Sequence, residues 1–427
     1  MALENVKGQG KIVSTQVFPE QNVQHWTLSN GDKVVWLKTP LAEDKTYFQA
    51  QSQAGFMLQG LGKWQSQLAT QMIAQNAPLD WEIEQLNQWK KINKVNLSLD
   101  QKANKLLFKG TVESDKLADL FRLYYAYQLE TTVKDGLDEA KEAMGRSIDL
   151  QNEKNDDNLQ MQMVAKLRFG KEADDSLPTK ASLGPILDQD LNQIWQQMTT
   201  LPTTYFIASN QDEASLKALV SQYLAPIPRN DKRVEFEQNL PVKGLGQARF
   251  DRHPEPKDDV RLWLFSEHAW QGKDAAMVAI LRQIAADKLK LSLRDQSLGV
   301  YSLRLESTLN PDTNRVESEL KFTANPANTE KLIAQAKAVL RDLPNQITEA
   351  DIKSAQASFK RAEGERLKSV DTWFNRLILS ENQYGDPRYL TDMQGLTDNI
   401  TLENARAMAA KIFNAENQKV FVVGQKK

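Results

Sequence analysis

Apolar and polar positions alternate early in the chain. His25-Trp26-Thr27-Leu28 and Lys33-Val34-Val35-Trp36-Leu37 flank Ser29-Asn30-Gly31-Asp32. Asn-Gly between two such runs predicts a β-hairpin in which both central residues take positive φ. A third strand is predicted over residues 46–54. After Gly60-Leu61-Gly62, the positions of Trp64, Leu68, Met72 and Ile73 follow the helical period. A second helix is predicted after Leu79, capped by Asp80 and carrying Trp81, Ile83, Leu86 and Trp89. Residues 95–99 and 105–112 return to the two-residue period of strands. A series of helices then runs from Ser114 to about Met198, and Tyr205-Phe206-Ile207-Ala208 reads as a closing strand.

Residues 226–248 hold Pro226, Pro228, Gly244 and Gly246 among charged residues with no sustained period, which predicts an interdomain linker. It separates a first domain, 1–225, from a second, 249–427. In the second, a strand at 260–265 precedes a helix at 272–294 and strands at 300–307 and 315–323. Helices follow at 329–342, 348–367, 370–382 and 401–413, and a strand at 419–423 ends the series. Strand, helix, two strands, several helices and a final strand thus occur twice, the mark of a duplication. The expected fold class is α+β: two similar domains, each a mostly antiparallel sheet packed against several helices.

At 427 residues the chain is long enough for two domains, and 41% hydrophobic with 26% charged residues is a globular balance. Fifty-four Lys and Arg against 56 Asp and Glu give no general attraction for a polyanion, so nucleic acid is not an expected partner, and no apolar run calls for a membrane span. Cysteine is absent, which excludes disulfides, thiolate catalysis and Cys-based metal sites. Residues 1–8 have no basic stretch followed by an apolar core, so no signal peptide is expected there, although a chain that is one half of a larger precursor would begin in the same way.

The duplicated layout resembles the paired α+β domains of the pitrilysin/insulinase (inverzincin) zinc peptidases. The Trp26-x-Leu28-x-Asn30-Gly31-x-x-Val34 hairpin, Val95-x-Leu97-x-Leu99, Phe108-x-Gly110 before a Leu/Phe/Tyr-rich helix, and Glu139-Ala140-x-x-Ala143 carry the likeness. So does the more specific segment Leu293-Arg294-x-x-x-Leu298-Gly299-x-Tyr301-Ser302. In the complete enzymes a similar segment supplies an Arg and a Tyr that hold the substrate backbone near zinc in the opposite half. The resemblance therefore implies substrate binding by Arg294 and Tyr301. A guanidinium and a phenol are suitable donors for a peptide carbonyl or developing oxyanion. The alternative for the same residues is structural: Arg294 at the carbonyl end of its helix and Tyr301 packed at a sheet edge.

Catalysis in this family needs two His and one Glu on a helix, His-x-x-Glu-His, with a further Glu downstream as the third zinc ligand. The histidines are His25, His253 and His268, and no two lie within five residues of each other. At the expected place after the third strand, Gly62-Lys63-Trp64-Gln65-Ser66-Gln67-Leu68-Ala69 offers amides, a lysine and an indole. Glu267-His268 lacks a second His, with Leu264 in its place. His268 is read as a loop or strand-end residue, His25 as a hairpin surface residue and His253 as linker. No catalytic or metal-binding residue is expected in the chain.

Gly60-x-Gly62 is too short for a dinucleotide fingerprint. Asp156-Asp157, Asp174-Asp175 and Asp258-Asp259 are read as solvated carboxylates, and the tryptophans on helical faces as core. The resemblance implies the non-catalytic half of a zinc peptidase, one wall of a chamber for unfolded peptide. Zinc is then expected in a catalytic partner half or subunit, and the periplasm is the expected compartment. The alternative is a catalytically silent scaffold or assembly subunit with the same fold.

Overall fold

The computed structural model of the protein describes residues 3, 6–173, 178–230, 233–296 and 300–426. Leu298 and Gly299 of the segment around Arg294, the Asp174-Asp175 pair, and Met1, Ala2, Glu4 and Asn5 lie outside this set. The chain divides into two compact units, one of residues 1–150, 175–238 and 368–378 and the other of residues 151–174, 239–367 and 379–427.

The first unit contains seven strands: β1 (Ile12–Phe18), β2 (Val23–Leu28), β3 (Lys33–Lys38), β4 (Lys45–Ser52), β5 (Ser98–Gln101), β6 (Leu106–Glu113) and β7 (Thr203–Ser209). They form one sheet in the order β1-β2-β3-β7-β4-β6-β5, antiparallel except for the β3–β7 pair. The second contains β8 (Gly246–His253), β9 (Asp258–Glu267), β10 (Val300–Asn310), β11 (Arg315–Ala324) and β12 (Gln418–Gln425). Their order is β10-β11-β9-β12-β8, antiparallel except for β12–β8.

Read from the parallel pair outward, β3-β7-β4-β6-β5 and β8-β12-β9-β11-β10 are the same topology. The last strand of each unit inserts beside its parallel partner, β7 between β3 and β4 and β12 between β8 and β9, and the duplication legible in element order extends to strand pairing. These last strands sit inside their sheets, which is why β7 and β12 are nearly continuous apolar runs rather than alternating ones.

At the first hairpin only Gly31 takes a positive φ, 89°, and Asn30 does not, contrary to the expectation for both. Gly31 N donates to Leu28 O and Leu28 N to Asp32 O, so the reversal needs one left-handed residue. The Asn30 amide is then used over distance, donating to Leu224 O and Ile227 O.

The first core gathers Phe48, Phe108, Phe121, Tyr124 and Tyr205 in edge and stacked contacts. The helix Ile83–Asn93 begins later than expected: Glu82, not Asp80, caps it in a reciprocal box with Gln85. In the second unit the helix Gly272–Leu289 buries Met277, Leu281 and Leu289. Trp263, Phe421 and Val423 meet Met163, Val164 and Leu167 of the helix Asn155–Phe169.

Three readings of polar residues are corrected. His25 is 7% exposed, not a surface residue, because β1 pairs alongside it and the Phe18 ring packs against its own in a tilted contact with centroids 4.6 Å apart. His253 ends β8 rather than lying in a linker, and its Nε2 is 2.8 Å from Asp259 Oδ2. Asp258 is fully buried, not solvated, and takes a two-pronged contact from Arg249 at 2.8 and 2.9 Å.

Candidate functional site

Helix geometry changes just before Arg294. The α-helix Gly272–Leu289 runs into a seven-residue π-type segment, Lys290–Gln296. Such widened turns are rare and cluster at functional positions. Leu293 anchors the segment from below, fully buried, while Leu291 and Arg294 stand exposed.

A second anchor comes from the helix Thr329–Gln346, where the Gln335 amide donates to Ser292 O at 2.9 Å and to Ser292 Oγ at 2.8 Å. One side chain thereby ties both the backbone and the hydroxyl of the residue two places before Arg294.

Tyr301 stands at the start of β10, the edge strand of its sheet, and is 71% exposed. The β10–β11 register steps from Val300↔Ala324 to Ser302↔Thr323, which leaves Tyr301 as the extra residue of a bulge. A bulge re-aims its side chain and interrupts pairing at an edge. Arg294 and Tyr301 are thus both solvent-facing, on either side of a connection whose residues 297–299 lie outside the described set. Tyr301 has the edge position of the structural reading, yet it is not packed there.

The helix after β4, Lys63–Ala74, stands where the sequence resemblance places a zinc motif. Ser66 and Thr70 are buried in it; Ser66 Oγ donates to Lys63 O and accepts from Gln101 Nε2, and Thr70 Oγ1 donates to Ser66 O. Hydroxyls and amides bonded in this way do not make a zinc-binding donor set, and no group of three or more His, Cys, Asp or Glu suited to a metal occurs among the described residues. The residues at this place do not fit the ion.

The remaining histidine, His268, follows β9. It is held between Asp274 Oδ2, 2.8 Å from Nε2, and Lys411 Nζ, 2.7 Å from Nδ1, a bracing of three elements. Gln335 and Ser292 are the site residues that sequence reasoning missed. Gln335 has no periodic or motif signal, since its role depends on a partner 43 positions away.

The structure thus combines two duplicated α+β units, an exposed Arg in the helical segment before an edge strand, an exposed Tyr at the start of that strand, and no zinc-binding group among the described residues. Residues 190–359 match the family model described as the peptidase M16 inactive domain, and the chain's sequence lacks a His-x-x-Glu-His motif.

Among its relatives is the probable zinc protease PqqL of Escherichia coli (strain K12), 24% identical over 420 residues, which are 93% of this chain and 43% of that protein. The crystal structure of the ferredoxin protease FusC in complex with Arabidopsis ferredoxin superposes with a TM-score of 0.93 at 37% identity, over 100% of this chain and 47% of that one. The peptidase M16 inactive domain from Pseudomonas fluorescens has a TM-score of 0.75 at 16% identity, covering 95% of this chain and 99% of that one, a likeness of fold. The chain spans less than half the length of PqqL and FusC.

Proposed function

We propose that this chain is the non-catalytic half of a pitrilysin/insulinase-type zinc peptidase. In this reading it forms one wall of a peptide-binding chamber and lends Arg294 and Tyr301 to a substrate held by a zinc-bearing partner half. The observation that carries the reading is the 37% identity, over the whole chain, to slightly under half of a protease.

Two features of the second unit support it. The outer side of β10 is a free sheet edge among the described residues, and an extended peptide added there gains backbone hydrogen bonds whatever its side chains. Tyr301 and Arg294 flank the entry to that edge with one phenolic and several guanidinium donors. Zinc, the general base and the attacking water then belong to the partner. The periplasm is the proposed compartment, by likeness to PqqL, whose crystal structure is described as that of a periplasmic protease.

The test is peptide hydrolysis in the presence of zinc by this chain, by a His-x-x-Glu-His half and by their mixture. A plant-type ferredoxin serves as one substrate, because FusC was crystallised with one. Activity confined to the mixture and reduced by Arg294→Ala and Tyr301→Phe is the expected result. Association without any gain in hydrolysis would favour the scaffold role instead.

A further inference from the structure

We propose that the first compact unit carries a second peptide-binding site, a groove that reads the backbone of an extended polypeptide through glutamine amides. The groove has a volume of about 650 Å³ and is lined by the helix Asp188–Thr199 and the two residues after it, the turn 58–61 before the helix Lys63–Ala74, and Asn230, Arg233, Val234 and Glu235. That volume is within the range of roughly 300–1,000 Å³ typical of ligand sites.

Gln193, Gln196 and Gln197 reach it from one helix face, because positions i, i+3 and i+4 share a side. Gln59, Arg233 and Glu235 line it from the other two segments. None of these six side chains makes a hydrogen bond or ion pair with the described residues. Their bonding capacity is therefore available to a ligand.

The composition of the lining selects the ligand. Each glutamine offers a carbonyl acceptor beside two N–H donors, the complement of the alternating C=O and N–H groups of an extended backbone. Arg233 and Glu235 cancel in charge, so the groove gives no preference for a charged ligand. No aromatic residue is among the lining residues, which removes the platform on which a pyranose face or a nucleic-acid base would stack. The rim is itself extended: Gln59 N donates to Glu235 O and Glu237 N to Met57 O, both at 2.9 Å, around the Leu58–Phe236 bridge. A backbone-reading groove tolerates many sequences, as a peptide chamber requires, and in this respect the inference rests on the proposed function.

The test uses the full chain and a fluorescein-labelled dodecapeptide of Ser, Ala, Thr and Gly, followed by fluorescence anisotropy. Gln193→Ala, Gln196→Ala and Gln197→Ala are combined; all three positions are exposed on a helix, where Ala is the best former, so the fold is kept. The expected result is a Kd raised about tenfold, as the loss of several neutral hydrogen bonds predicts. Wild-type affinity in the triple variant, or no binding by the wild type, overturns the groove. Binding of chitohexaose in place of the peptide, abolished by the same substitutions, overturns the peptide assignment. Arg294→Ala/Tyr301→Phe is measured in parallel. A loss there with an intact triple variant rejects the groove alone, and the reverse pattern rejects the role of Arg294 and Tyr301 alone.

Discussion

Arg229 and Asp32, 197 positions apart in the chain, form a buried ion pair: Arg229 Nε lies 3.2 and 3.1 Å from the two Asp32 oxygens, and the side chains are 1% and 0% exposed. The guanidinium also donates to Tyr124 Oη, Tyr205 Oη, Gln128 Oε1 and Thr199 O, so every face of it is used. Asp32 accepts in addition from Thr203 N and Tyr205 Oη. Burial alone would lower the Arg229 pKa, but Tyr205, Tyr124 and Asp32 outweigh it and hold it above the ordinary value. The pair closes the first hairpin, β7 and the segment after residue 224 into one unit.

Breaking this pair from one side leaves a buried charge unpaired. Arg229→Met is expected to destabilise the first unit by about 3–5 kcal/mol in urea unfolding, and adding Asp32→Asn should recover part of the loss. Equal losses in the single and double variants would locate the cost in packing rather than in the unpaired carboxylate.

Gly110 of β6 passes close to another strand of backbone. A Cβ there would lie 2.7 Å from Asn96 O and 3.1 Å from both Leu97 Cδ2 and Leu120 Cδ1. Gly110→Ala is therefore expected to cost about 1–3 kcal/mol, read as a lowered unfolding midpoint. An unchanged midpoint would mean that β6 can shift away without penalty.

In the second unit Arg249 grips Asp258, and Gly424 leaves room for it: a Cβ at Gly424 would clash with Arg249 Nη2. Burial would raise the Asp258 carboxyl, but hydrogen bonds from Arg249 and Thr329, with the Arg249 charge, outweigh it and hold it below the ordinary range. A depressed folded pKa contributes stability that is complete above the unfolded value, about 3.9, and is lost as pH falls through the folded value. The destabilisation by Arg249→Met should accordingly be greatest above about pH 4 and shrink as Asp258 is protonated below it. Urea unfolding at neutral pH and near pH 3 checks this; an equal cost at both would remove Asp258 ionisation as the cause.

Gln335 should matter for the turn that bears Arg294. Gln335→Met keeps the length and bulk of the side chain and removes both bonds to Ser292. Amide hydrogen exchange over residues 290–296 is expected to accelerate about fivefold or more, with little change elsewhere. Peptide affinity should fall in the wild-type background but not further in Arg294→Ala. Additive losses in the two backgrounds would make Gln335 a general packing residue.

Local periodicity determined much of the fold. It placed the Asn30-Gly31 hairpin, the helix before Arg294, the strands that became β9 to β12 and the repeated element order. Counting His25, His253 and His268 against the spacing of a zinc motif excluded that motif from the sequence alone. The resemblance of their segment to that of the zinc peptidases singled out Arg294 and Tyr301, and the tertiary structure shows both exposed.

What the sequence left open were relations between distant segments. A two-residue period says that a strand has two faces, but not which neighbour covers either; β1 decided that His25 is buried. The parallel partner of β12 is about 170 positions earlier, so β8 had little local signal to distinguish it from linker. Asp258 looks in sequence like any solvated aspartate, and Asp32 like a turn residue, until Arg249 and Arg229 are brought to them. Burial of a charge is set by the groups that chain folding carries to it, and only the tertiary structure fixes those.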